Sequence, residues 1–123
     1  MSILVAERDP FWQRRWQALD LPWPVDVVAD GALALEKAFR EPPAALVCEA
    51  LLPVLDGLAL IRRIRAHPLT RHVPAALVSS LPLADRAREA GADFFLQKPL
   101  ADRDLRNLAR RLVTRPAGEG RNP

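Results

Sequence analysis

The segment AALVCEALLPVLDGLALIRRIR, residues 44–65, contains the change of period that decides the fold. Its first five residues, Ala44–Cys48, are continuously apolar, the pattern of a strand covered on both faces. From Gly57 onward, Leu58, Ile61 and Ile64 mark one stripe of a helix, and Asp56 stands where an N-terminal cap belongs. A buried strand feeding an amphipathic helix is half of a βαβ unit. Between the two lies one carboxylate, Glu49, at the carboxyl end of the strand. Open α/β sheets place their ligand crevice there.

The same alternation extends in both directions. Strands are expected at Ile3–Ala6, Val25–Ala29, Ala75–Ser79 and Phe94–Gln97. Asp9-Pro10 opens a first helix with Trp12, Trp16 and Leu19 on one face. Asp30 caps a second, with Ala32, Leu35, Ala38 and Phe39 inward and Pro42-Pro43 ending it. A short helix, Ala84–Ala90, stops at Gly91, suited to a left-handed cap. The last, over about residues 101–113, turns Leu105, Leu108, Ala109 and Leu112 inward. Five strands and five helices in alternation imply a doubly wound α/β domain over residues 1–114. The Pro/Gly-rich RPAGEGRNP, residues 115–123, is expected to be a disordered tail or the start of a linker.

The bulk composition narrows the class of protein. Half the residues are hydrophobic and 27% are charged, a globular balance. No apolar run is long enough to span a bilayer, and the single cysteine fits a reducing cytoplasm. The net charge of +3 comes almost wholly from arginine, since Lys37 and Lys98 are the only lysines. A basic balance permits contact with nucleic acid without establishing it.

Four pieces of the chain, in order, carry a family resemblance: ILVAERDP, EALLPVLDG, VPAALVSS and GADFFLQKP. Together they resemble the receiver domain of two-component response regulators, from Ile3 to about Val113. The resemblance implies a five-stranded parallel sheet of order 2-1-3-4-5, flavodoxin-like, flanked by five helices. It also implies a Mg²⁺ site built from two acids after the first strand and a phosphoacceptor aspartate after the third. Here Glu7 and Arg8 fall on the acid pair and Glu49 on the phosphoacceptor. Ser79, Phe95 and Lys98 fall on the hydroxyl, aromatic and lysine positions of the switch.

The two departures, Arg8 and Glu49, lie in the chemistry. A guanidinium stays protonated and offers no lone pair to a metal. The charges of Glu7, Arg8, Glu49 and Lys98 cancel, whereas three carboxylates and a lysine leave a pocket attractive to a cation. At ~4 Å and an effective dielectric of ~20, each unit charge is worth about 4 kcal/mol. Glu7, Asp9 and Glu49 are the remaining weak candidates for metal ligands, and Asp9 suits helix opening better. The extra methylene of Glu49 moves its carboxylate by about 1.5 Å. Placed there, it either pairs with Lys98 or Arg8 and fixes one state as a phosphomimic, or is a relic.

These residues point to a non-enzymatic module of phosphorelay-type signalling that binds a protein without phosphorylation or a cofactor. Its expected partner surface is the fourth helix, fifth strand and fifth helix, where receivers also dimerise. The alternative is a working Mg²⁺-dependent phosphoacceptor with an unusual site. Nucleic-acid binding through Arg103, Arg106, Arg110 and Arg111 is disfavoured, because these alternate with Asp102, Asp104 and the apolar stripe. Trp12 and Trp16 are expected in the core, and Trp23, between prolines, as an exposed anchor. Cys48 reads as a small buried hydrophobe.

Overall fold

The computed structural model describes residues 1–115. Five parallel strands, β1 (Ile3–Ala6), β2 (Val25–Val28), β3 (Ala45–Glu49), β4 (Ala75–Ser79) and β5 (Phe94–Gln97), form one sheet of order β2-β1-β3-β4-β5. Helices α1 (Pro10–Ala18), α2 (Gly31–Arg40), α3 (Gly57–Ala66), α4 (Ala84–Ala90) and α5 (Asp102–Val113) alternate with them. The doubly wound fold is the one the alternation implied, and the strand order the one the resemblance implied. β3 lies one residue later than expected and takes in Glu49, whose register partner is Val78 of β4.

Side chains alternate across β3 and divide the core in two. Leu46 and Cys48 face α2, α3 and α4, where Ala34, Ala38, Leu60, Ile61 and Ile64 are buried. Ala45 and Val47 face the opposite side, where Trp12, Trp16, Leu105, Leu108 and Leu112 pack from α1 and α5. Those two helices therefore share one face of the sheet, and the other three share the second.

Caps fix where the helices begin. Asp9 accepts from Phe11 N at 2.9 Å, Asp30 from Leu33 N at 2.7 Å and Asp56 from Ala59 N at 2.9 Å. Gly91 closes α4 with φ 106°, the left-handed cap expected of it. The inward face of α2 differs from the reading of the sequence. Ala32 is exposed and Ala34 takes its place in the core, because Gly31, the first helical residue, is pressed against Leu55 and sets the phase. Trp23 is also a correction: it is half-buried against the α1–α5 side of the core rather than an exposed anchor.

At the foot of the sheet Arg65 of α3 donates to Gly91 O, Val73 O and Asp93 Oδ2 at 2.9, 2.7 and 3.0 Å. Asp93 also accepts from Ala75 N at 2.9 Å and faces Arg115 at 3.4 Å. Arg115, the first residue of the expected tail, is thus held against β5. The rest of that tail, residues 116–123, lies outside the described residues.

Candidate functional site

The carboxyl ends of the parallel strands β1, β3, β4 and β5 lie at one edge of the sheet, and each delivers one polar residue there. Glu7 follows β1, Glu49 ends β3, Ser79 ends β4 and Lys98 follows β5. The β4–β5 register sets Ser79 opposite Gln97, and the Lys98 amide donates to Ser79 O at 2.9 Å. A cis peptide joins Lys98 to Pro99.

Lys98 is the centre of the arrangement. Its Nζ donates to Glu7 Oε1 at 2.5 Å and to Glu49 Oε1 at 3.2 Å. The three side chains keep only 8%, 3% and 10% of their surface exposed. An ammonium this buried needs carboxylate partners, and two converge on it. Glu7 Oε2 also accepts from the Asp9 amide at 3.1 Å. Glu49 folds back on its own chain: Oε2 accepts from the Ala50 amide and, at 3.4 Å, from the Leu51 amide. Each Glu49 oxygen therefore has a donor.

The remaining candidates sit differently. Arg8 points to solvent and, among the described residues, joins no ion pair, so it is not a partner of Glu49. The carboxylate of Asp9 caps α1. Ser79 is fully buried, and its Oγ accepts from the Leu81 amide at 3.2 Å. Phe95 is half-buried against the α2–α3–α4 side of the core. The loop from Glu49 to α3 carries Val54 at φ 71°, a left-handed conformation that is costly for a β-branched residue.

Two features had no signal along the chain. The face of the Trp12 ring lies 4.9 Å from Lys98 Nζ, adding a cation–π partner to the two carboxylates. The exposed aromatic is Phe11, stacked edge-on to Trp12 at 5.2 Å. An apolar stripe identifies Trp12 as a core residue, and nothing local reports what a residue far along the chain brings over its ring.

The family described as the response regulator receiver domain matches residues 3–110. The chain belongs to this family. It is 36% identical to the response regulator PleD of Caulobacter vibrioides over 63% of its length and 18% of that protein's. To the transcriptional regulatory protein PrrA of Mycobacterium tuberculosis it is 34% identical, over 74% of the chain and 40% of the relative. The chain thus spans well under half the length of these relatives. Among solved structures it is similar to the receiver domain of sensor histidine kinase PA1611 from Pseudomonas aeruginosa. The TM-score is 0.81 at 32% identity, covering 91% of this chain and 96% of that one.

That receiver domain holds a magnesium ion coordinated in its active site cleft. The residues of the present chain do not fit such an ion. Glu7 and Glu49 both spend an oxygen on Lys98, Asp9 is taken by the cap, and the exposed guanidinium of Arg8 has no lone pair to offer. Among the described residues no group of three or more His, Cys, Asp or Glu side chains could hold a metal. Nor, among them, is any helix long and apolar enough to cross a membrane.

Proposed function

We propose that this receiver domain is a signalling module that works without phosphorylation, as a pseudo-receiver whose output is contact with another protein. One observation carries the reading: Glu49 itself engages Lys98 and two strand-end amides. In the family these positions surround the phosphoacceptor, and the lysine contacts the transferred phosphoryl group. With Glu49 in that space, the domain is held in one state by its own side chain. The engagement of Glu49 with Lys98, together with the cationic Arg8, favours this over the phosphoacceptor alternative, since phosphoryl transfer depends on metal and in-line positioning.

Its partner is a signalling or output protein, met through α4, β5 and α5. On that surface Arg111 packs 4.4 Å over the ring of Phe94. The relatives' greater length fits a partner that is either a separate protein or a further part of the same one.

Incubation with acetyl phosphate and Mg²⁺, followed by intact-mass measurement, tests the reading. The expected result is no mass gain, and a stable phosphoryl adduct on Glu49 overturns it. Arg8→Asp together with Glu49→Asp should then raise Mg²⁺ affinity by more than the two single changes combined. Strictly additive effects would mean that the two positions do not share a site.

A further inference from the structure

Lys98 is not the outer limit of the site's network. The Trp12 ring that receives its Nζ also receives the Arg15 guanidinium, 4.8 Å from the ring centroid. Arg15 donates onward to Asp102 Oδ1 at 2.6 and 3.1 Å and to Leu100 O at 2.7 Å. Glu49 is therefore joined, contact by contact, to the first turns of α1 and α5.

The face these helices present is cationic, and its charge is unanswered. They hold Arg14, Arg15, Arg103, Arg106, Arg110 and Arg111 against only Asp102 and Asp104. Both aspartates are used internally, Asp102 by Arg15 and Asp104 by the Ala101 amide at 2.9 Å. Among the described residues Arg14, Arg103, Arg106 and Arg110 join no ion pair. On α1, one turn before Arg14 and Arg15, Phe11 is 52% exposed, braced by Trp12 and 5.7 Å from the Arg15 guanidinium. A rigidly supported aromatic among arginines has the composition of an interface hot spot.

We propose that the α1–α5 face docks an acidic segment of a partner protein. Phe11 is its apolar anchor, and Arg14, Arg103, Arg106 and Arg110 are its cations. The Lys98–Trp12–Arg15 contacts tie this face to Glu49, and only this tie rests on the phosphorylation-independent reading. Charge complementarity names the occupant, because four guanidinium groups lack carboxylates that a partner can supply. Nucleic acid is a poorer match. Asp102 and Asp104 stand in the first turn of α5 among its arginines, where they would repel phosphates.

The test is an amide-shift titration of the full chain with a synthetic helical peptide carrying a glutamate face and a leucine stripe. Poly-glutamate and a duplex oligonucleotide serve as competing probes at physiological salt. Shifts should concentrate on residues 10–18 and 102–113. Affinity should fall about tenfold in Arg103→Glu with Arg110→Glu, and severalfold in Phe11→Ala. Arg103→Gln with Arg110→Gln, which adds no charge, should also lower affinity, and unchanged affinity in this variant would overturn the proposal even where the reversal perturbs folding. Equal shifts around Arg62 and Arg63 of α3, or tighter binding of the duplex, would overturn the proposal. Glu49→Gln should move the Trp12 indole resonance and change peptide affinity; an unmoved resonance removes the tie. Phosphorylation at Glu49 would sink the reading of the site and leave the docking map standing, whereas an inert Glu49 with a silent peptide would sink the docking alone.

Discussion

Lys98 has two carboxylates and an aromatic face around it, and their removal should not be equivalent. Glu49→Gln leaves the ammonium with Glu7 and Trp12, so part of its compensation survives. Lys98→Met strands two buried carboxylates at once. Breaking a buried pair from one side costs roughly 3–5 kcal/mol, more than the pair itself contributes. Lys98→Met should therefore be the more damaging, and Glu49→Gln with Lys98→Met milder than the two losses added. A urea-denaturation double-mutant cycle measures this, and a coupling of zero would mean that the pair is a relic. The pairing of Glu49 with a cation was legible in the sequence, because a lone carboxylate at a strand end near a lysine has few other outlets. Which cation was not legible. Arg8 sits next to Glu7 in the chain, but in the turn after β1 Glu7 faces Lys98 while Arg8 faces solvent.

At the scale of elements, periodicity placed every strand and helix to within a residue or so, and failed where packing sets the phase. α2 is the instance: cap and length were readable from Asp30 and Pro42-Pro43, but its rotation follows from a backbone contact. A Cβ on Gly31 would lie 1.8 Å from Leu55 O, so the helix start must present a glycine to that loop. Gly57 makes the corresponding approach at the site. Its amide donates to Ala50 O at 2.9 Å, and a Cβ there would meet Glu49 O at 2.2 Å. Both contacts involve backbone, which cannot rotate away. Gly57→Ala should push α3 off the end of β3, disturb the Glu49 turn and cost about 2 kcal/mol or more, at the upper end of ordinary substitutions. Thermal unfolding, with the Trp12 indole resonance as a probe of the site, reads both effects. An unchanged melting temperature would show that the junction has room to relax.

The molecule as a whole has a buried reporter in Cys48, enclosed at the centre of the sheet and one residue from the site. The sequence showed it as a small hydrophobe, and its apolar neighbours on β3 were sufficient reason. Burial, with lesser contributions from the carboxylates of Glu49 and Asp56, pushes its thiol pKa far up in the native state. In the unfolded chain the same thiol titrates near ~8.5. Below that pH both states keep the proton, and Cys48 adds no pH dependence. Above it the unfolded state releases a proton that the native state retains, so stability falls as pH rises, by up to about 1.4 kcal/mol per unit. The decline should therefore begin at mildly alkaline pH and be reduced in Cys48→Ala, once that variant's pH-independent loss from the small cavity is subtracted. Because the native thiol is both shielded and protonated, iodoacetamide should label it only through global opening, at a rate that follows denaturant stability. Rapid labelling of the folded protein, or an identical alkaline slope in Cys48→Ala, would mean that the sheet opens locally beside Glu49 instead.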